Sequence, residues 1–304
     1  MGKIAFVFSG QGDQHPGMGK ALCDNYSAAA DVFAMCDSMR PGTSEMCFSG
    51  SEDSLRQTIN TQPCLFAMEL AAARALESAG LHADMAAGFS LGEVVALTYA
   101  GTFTAEDGFR AVCRRGELMQ AEAEKYPTSM AAVLKLDTEK VQELCAMHEK
   151  VYPVNYNCPG QVAVSGLESS MEAFGAAVKA AGGRAMPIKV RGAFHSPFMN
   201  DAAAEFSKAL GSISISSPAI PVYTDVIALP YSDNIAATLA RQICSPVKWE
   251  ELIRNMSAEG VNTFIEIGPG KTLTNLIGRI DKSVRALPVS AYSDLNELIL
   301  EVNS

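Results

Sequence analysis

Apolar positions in this chain fall into two alternating kinds of run. Short unbroken ones stopped by glycine or serine read as buried parallel strands: Lys3–Phe8, Met85–Ala87 and Thr263–Ile267, with Ile220–Thr224 as a weaker example. Between them lie stretches with helical spacing: 20–40, 52–59, Cys64–Ser78, Val94–Ala100, Asp201–Leu210, Asn234–Ile243 and Leu273–Ile280. Gln62-Pro63 predicts a helix start with the proline near its first position. Thr104 with Asp107 predicts a loose capping box that opens the next helix. Strand–helix alternation of this kind implies an α/β fold built on a mostly parallel sheet.

The rhythm changes after a polar break at Glu122–Thr128. Met130–Leu136 (strand), Thr138–Glu149 (helix), Val151–Asn155 and Gln161–Ser165 (strands), Ser169–Ala181 (helix) and Ala185–Val190 (strand) follow. That is βαββαβ, the split βαβ of a ferredoxin-like subdomain, with Asn157-Cys158-Pro159-Gly160 as the central hairpin turn. The expected organisation is a discontinuous large domain, 1–124 and 197–304, with a small subdomain at 125–196 inserted into it.

One stretch carries chemistry on its face. Met85-Ala86-Ala87 leads into Gly88-Phe89-Ser90-Leu91-Gly92-Glu93, and a helical stretch leads out. Strand, sharp turn and helix around G-x-S-x-G describe a nucleophile elbow. A serine on so tight a bend forces its neighbours two before and two after against other backbone, where only glycine fits. Its hydroxyl projects, and the Leu91 N–H at a helix N-terminus can face an oxyanion. Glu93 falls in the first helical turn, where a carboxylate suits the dipole.

Composition narrows the partners. The 304 residues are 48% hydrophobic and 19% charged, ample for a large core, and the net charge of −10 argues against nucleic acid and anionic membrane. No run approaches transmembrane length, and Ile4–Phe8 is too short for a signal peptide. The N-terminus does not fit the myristoylation pattern. Eight scattered cysteines without a C-x-x-C pair fit reduced thiols in the cytoplasm. The Gly10–Gly19 loop after the first strand lacks the Rossmann order, because His15 stands at the third glycine's place, and no Walker lysine follows. It reads as a loop that lets backbone N–H groups approach a ligand. No metal or nucleotide cofactor is implied.

A serine needs a base. Of the four histidines, His82 and His148 read as surface. His15 sits in the glycine-rich loop and also reads as a surface residue. His195 lies in the tight Gly192-Ala193-Phe194-His195-Ser196-Pro197 turn and is the candidate base. No Asp or Glu motif offers itself as a third member, so a backbone carbonyl is expected to hold the imidazole tautomer. Arg110, Arg114 and Arg115 share one helix, with Arg115 about 100° further round the axis than Arg114.

Seven pieces come in order: Gly10-Gln11-Gly12, Gly88-x-Ser90-x-Gly92-Glu93, Arg115-Gly116-Glu117-x-Met119-Gln120, Asn155-Tyr156-Asn157-x-Pro159-Gly160-Gln161, Gly192–Ser196, Gln242-x-x-x-Pro246-Val247-x-Trp249 and Glu266-x-Gly268-Pro269-Gly270. The set resembles the malonyl-CoA:acyl carrier protein transacylases over essentially the whole chain. The resemblance implies a hydrolase-like α/β domain with a ferredoxin-like insert. It implies Ser90 as nucleophile, His195 as general base, and the backbone N–H groups of Gln11 and Leu91 as oxyanion hole. Arg115 would grip the free carboxylate of the malonyl group, and the Gln242 carbonyl would orient the histidine. One residue departs from the family pattern, because Phe89 stands where a histidine is usual, which bears on acyl selectivity. Phe194, beside the base, is expected to disfavour a methyl branch at C2 of the acyl group.

The implied reaction moves malonyl from malonyl-CoA, a substrate rather than a cofactor, to the phosphopantetheine thiol of an acyl carrier protein, through a malonyl-serine. The acceptor belongs to fatty acid or polyketide synthesis. Carrier proteins are acidic, so Arg184, Lys189 and Arg191 are docking candidates. Two alternatives share the site: an acyl-CoA hydrolase or esterase using water, and a non-catalytic acyltransferase-like scaffold.

Overall fold

The computed structural model describes residues 2–190 and 192–304. Five strands form one all-parallel sheet: β1 (Lys3–Phe8), β2 (Met85–Gly88), β7 (Val222–Tyr223), β8 (Val261–Ile267) and β9 (Arg285–Pro288), in the order β7-β2-β1-β8-β9. Four more form an antiparallel sheet: β3 (Thr128–Leu134), β4 (Val151–Cys158), β5 (Gln161–Leu167) and β6 (Arg184–Ile188), in the order β4-β5-β3-β6. Its helices, Thr138–Ala146 and Glu168–Ala180, complete the βαββαβ pattern expected of a ferredoxin-like unit.

Register explains why one end of the parallel sheet carries the chemistry. Phe8 pairs with Gly88 on one side and Ile267 on the other, so β1, β2 and β8 end level. The loops that leave them are Ser9–Gly19, the Ser90 bend and Gly268-Pro269-Gly270. Ligands of open α/β sheets bind at these carboxyl ends. Glycine permits the loops to meet. A Cβ on Gly268 would lie 2.4 Å from Ser9 Oγ, and one on Gly270 would lie 2.1 Å from Asp13 Oδ2. Glu266, at the end of β8, caps the next helix by accepting from Leu273 N–H at 3.0 Å and Thr274 N–H at 2.7 Å.

The antiparallel sheet uses its two faces differently. Ala131, Val133, Val162 and Val164 pack on Phe174 and Val178, whereas Met130, Val154 and Ala163 join the main core. Alternation along β3 and β5 therefore fixes which side chains face the large layer. Backbone bonds stitch β4 to the chain after the helix Ile235–Gln242, with Tyr156 N–H on Val247 C=O at 2.8 Å and Val247 N–H on Val154 C=O at 2.9 Å. Pro159-Gly160 makes the hairpin turn, with Gly160 at φ 72°.

Some expectations shift. The helix expected to start at Gln62-Pro63 begins at Thr58, leaving Pro63 inside it. One backbone bond is lost there, and burial of every residue from Thr61 to Ala73 offsets it. The stretch 20–40 breaks at Tyr26 into two helices. The helix Thr43–Ser49 and the edge strand β9 with its terminal proline are short and carry no clear period, whereas the helix Leu295–Val302 keeps helical spacing at Leu295, Leu298, Ile299 and Val302; none of the three is among the expected elements. Among the described residues no helix is long and apolar enough to cross a membrane. All eight cysteines are free.

Candidate active site

Ser90 occupies the bend between β2 and the helix Gly92–Tyr99 at φ 57°, a left-handed value that an L residue adopts only under constraint. The constraint is visible. A Cβ on Gly88 would lie 1.9 Å from the Gly92 carbonyl carbon, and one on Gly92 would lie 2.3 Å from the Phe8 carbonyl oxygen. Both motif glycines are therefore dictated by backbone approaching backbone.

His195 arrives from the far side, also at positive φ (60°), its N–H donating to Ile243 C=O at 3.1 Å. Its Nε2 lies 2.7 Å from Ser90 Oγ. Its Nδ1 lies 3.0 Å from the Gln242 carbonyl oxygen and 3.2 Å from that of Ser245. Two acceptors at Nδ1 place the proton there and leave Nε2 free to accept from the serine. Burial first, and then the positive charge of Arg115, push the imidazole down to about 4, so it is neutral at neutral pH. The Gln242 carbonyl occupies the expected place, and Ser245 is a second holder that the sequence did not indicate.

Arg115 is fully buried, whereas Arg110 and Arg114 are exposed and paired with Asp107 and Glu117. It reaches inward where Gly116 lets its helix, Ala105–Ala123, close on Thr58–Ser78; a Cβ on Gly116 would lie 3.1 Å from the Thr58 carbonyl oxygen. Nη1 donates to Gln62 Oε1 at 2.8 Å, and Nη2 donates to Gln242 Oε1 at 2.8 Å and to Ser90 Oγ at 3.1 Å. Every one of these partners is neutral. Burial pulls the guanidinium down to about 10, which leaves it charged at neutral pH.

Gln242 ties the site together. Its carbonyl holds His195 and its Oε1 holds Arg115. Its Nε2 donates to Ser90 C=O at 2.6 Å and reaches Glu93 Oε2 and Asp225 Oδ2, both at 3.1 Å. Glu93 sits in the first turn of the helix Gly92–Tyr99, as expected, is fully buried there, and also accepts from Tyr231 O–H. Gln62, Asp225, Tyr231 and Ser245 escaped the sequence reading. Glu93 did carry a signal, as a carboxylate at the head of an apolar helical run, whereas Gln62 follows Asn60 and Thr61 and does not stand out. Asp225, Tyr231 and Ser245 lie in irregular chain, where no periodicity marks them.

A cavity of about 230 Å³ opens beside Ser90, lined by Gln11, Phe89, Met119, Asn155, Phe194 and Leu273 among others. The main-chain N–H groups of Gln11 and Leu91 enter no hydrogen bond among the described residues. Gly10 packs on the bend, where a Cβ would lie 2.9 Å from the Phe89 carbonyl oxygen, and this brings the Gln11 loop to the serine. The side-chain oxygens of Gln11, Asn155 and Asn157 are buried without partners, and all three residues line the cavity. Phe89 and Phe194 both form its walls, with Phe89 set edgewise on Trp249 at a centroid distance of 5.4 Å. His15 is exposed and borders a different hollow. Arg184 and Lys189 are exposed on and just after the edge strand β6, and Arg191 lies outside the described residues.

A neutral imidazole on a strained serine, at the carboxyl end of a parallel α/β sheet, defines a protein that moves acyl groups by way of a serine ester. Residues 5–294 match the family described as "Acyl transferase domain". A malonyl CoA-acyl carrier protein transacylase of Bacillus subtilis (strain 168) is 36% identical over 298 residues, covering 95% of this chain and 94% of that one. The chain belongs to this family. The crystal structure of an acyl-carrier-protein-S-malonyltransferase from Bartonella henselae is similar at TM-score 0.95 and 36% identity, covering 100% of both chains. A malonyl-transacylase solved in complex with its type II PKS acyl-carrier protein is similar at TM-score 0.93 and 33% identity, covering 99% of both.

Proposed function

We propose that the chain transfers malonyl from malonyl-CoA to the phosphopantetheine thiol of an acyl carrier protein through a malonyl ester on Ser90. The observation that carries this reading is Arg115: a buried guanidinium with only neutral partners, in contact with the nucleophile's Oγ. A buried cation without a counter-charge in contact favours a substrate that brings one.

Ser90 Oγ attacks the thioester carbonyl carbon and its proton passes to His195 Nε2. The oxyanion faces the N–H groups of Gln11 and Leu91, each such donor typically worth about 100- to 1000-fold in rate. The tetrahedral adduct collapses, the C–S bond breaks, and CoA leaves with the proton. The carrier's thiol then reverses these steps, giving its proton to His195 and expelling Ser90. A thiolate leaves with little protonation, so a base held by carbonyls rather than by a carboxylate suffices. The unpartnered amide oxygens of Gln11, Asn155 and Asn157 suit the amide groups of a pantetheine arm, which both substrates share.

The carrier as acceptor is supported by the relative solved with its own carrier protein. Arg184 and Lys189 are proposed as part of the docking face, and the cytoplasm, where thiols stay reduced, as the compartment. The test is intact mass of the chain after malonyl-CoA, then after holo carrier protein. Malonyl is expected on Ser90 and then on the carrier. Release of malonate to water at the same rate with and without carrier overturns the transferase reading.

A further inference from the structure

Two carboxyl groups sit behind the nucleophile with no part in the transfer just described. Glu93, in the first turn after the bend, and Asp225, just beyond β7, are both fully buried. Their partners divide unequally. Glu93 accepts from Tyr231 O–H, from Asp225 N–H at 2.9 Å and from Gln242 Nε2 at 3.1 Å. Asp225 accepts through Oδ2 alone, from Ser90 N–H at 2.7 Å and from Gln242 Nε2 at 3.1 Å, while its Oδ1 has no partner.

The titratable groups facing this pair are the guanidinium of Arg115, the neutral imidazole of His195 and the neutral phenol of Tyr231. One cation does not support two adjacent buried carboxylates, so the pair holds a proton. The donors decide where it sits. Two donors of its own, Tyr231 O–H and the Asp225 N–H, and a share of Gln242 Nε2 converge on Glu93, which carries the anion. Asp225, whose Oδ1 has no donor to support a negative charge, is the carboxyl that takes the proton. Burial and the charge of Glu93 both push Asp225 well up, against a smaller pull from the Ser90 N–H.

We propose that Asp225 is a positioning residue for the acyl transfer: as a neutral carboxylic acid it holds the Ser90 amide and the side chain of Gln242, which in turn holds Arg115. The neutral form matters because the oxyanion develops one residue away, at the Leu91 N–H. A carboxylate bonded to the adjacent Ser90 amide would oppose that charge in a site shielded from water.

The inference rests on the Ser90 reading above, so two measurements are paired on the full chain. One is single-turnover acylation by malonyl-CoA followed by intact mass; the other is labelling of Ser90 by a fluorophosphonate, which needs no acyl-CoA. Asp225→Asn keeps the shape and neutrality of the acid and is expected within about threefold of wild type in both. Asp225→Ala is expected at least about thirtyfold slower in both. Wild type should also lose rate at alkaline pH where Asp225→Asn does not. An Asp225→Asn variant as slow as Asp225→Ala shows that an anion is required and overturns the proposal, as do two variants that both match wild type. If Asp225→Ala does not fold, Asp225→Asn still decides. A wild type that labels with fluorophosphonate but not with malonyl-CoA counts against the proposed substrate, and the variants still report on Asp225.

Discussion

Arg115 Nη2 lies 3.1 Å from Ser90 Oγ, although Arg115 sits on the helix Ala105–Ala123 and Ser90 on the bend that follows β2. The guanidinium is thus positioned before any acyl group arrives, with Gln62 and Gln242 fixing its fork. A malonyl carboxylate gains charge-assisted bonds worth roughly 1.5–3 kcal/mol each, which an acetyl group cannot make. Arg115→Ala should lower kcat/KM for malonyl-CoA by at least about a hundredfold, and change that for acetyl-CoA by less than about fivefold. A panel of both thioesters with holo carrier protein checks it. Equal transfer of the two by wild type would remove the arginine from the recognition role.

His195 titrates far from free imidazole. Only its neutral form can take the Ser90 proton, so activity is held above its pKa and lost as pH falls through it. Burial and Arg115 set that value at about 4 rather than near 6.5. The acid limb of fluorophosphonate labelling at Ser90 should therefore lie well below pH 6. In Arg115→Ala it should move upward, because a repelling positive charge is gone. A limb near 6.5 in wild type, or one moving downward in the variant, contradicts the geometry.

The bend admits no side chain at its flanks. Gly88→Ala would drive a Cβ to 1.9 Å from backbone carbon, with nothing flexible to yield. A loss of more than about 4 kcal/mol is expected, enough to prevent folding in many chains. Gly12 offers the contrast. A Cβ there meets nothing within 4 Å, but its φ of 145° strains any L residue. Gly12→Ala should cost only about 1–3 kcal/mol. Urea unfolding of the two variants separates steric from conformational demand.

How far the sequence reached follows from what each residue does. Ser90 and His195 were legible because tight turns need glycine and because few histidines compete, whereas Arg115 shares its helix with two other arginines and only the ordered set of motifs singled it out. Gln11 and Leu91, as proposed, and Gln242, through its carbonyl on His195, use main-chain atoms, which leave no trace in residue type; the elbow itself pointed to Leu91, and only the ordered set of motifs to the other two. Gln242 also acts through its side chain, and that second role was hidden. Asp225 sits in irregular chain, and its meaning appears only when β7 pairs with β2 and brings it to the Ser90 amide. The antiparallel insert was readable because the βαββαβ order of apolar runs and helical stretches follows a polar break in the chain. β9 was not, since the edge strand is short and ends in proline, whereas the last helix does show helical spacing at Leu295, Leu298, Ile299 and Val302 and adds to the expected elements.

Arg184 and Lys189 stand exposed along the edge of the antiparallel sheet, while the whole chain carries a charge of −10. Local positive charge on an acidic molecule steers an acidic partner by proximity rather than by net field. Arg184→Glu with Lys189→Glu should raise KM for carrier protein about tenfold at low salt, and much less at high salt. KM for malonyl-CoA should stay within about twofold. Unchanged carrier kinetics would move the docking face elsewhere.

Phe194 bears on which acyl groups fit. Its ring is buried, forms part of the cavity wall, and precedes the base by one residue. It cannot swing aside easily. A Cβ on Gly192 would already lie 3.1 Å from its Cε1, and the residues around it belong to the main core. A methyl branch at C2 of the acyl group would press on a fixed wall, and one such group is worth roughly 1–3 kcal/mol of discrimination. Phe194→Leu and Phe194→Ala should therefore raise the ratio of methylmalonyl to malonyl transfer in that order, by up to about a hundredfold. Truncation also removes core contacts, at about 3–5 kcal/mol for alanine, so thermal melts accompany the kinetics. The ratio, not the absolute rate, is the readout, because lost stability lowers both substrates alike. Comparable wild-type rates with the two thioesters, or a ratio that does not rise on truncation, would show that the wall lies elsewhere.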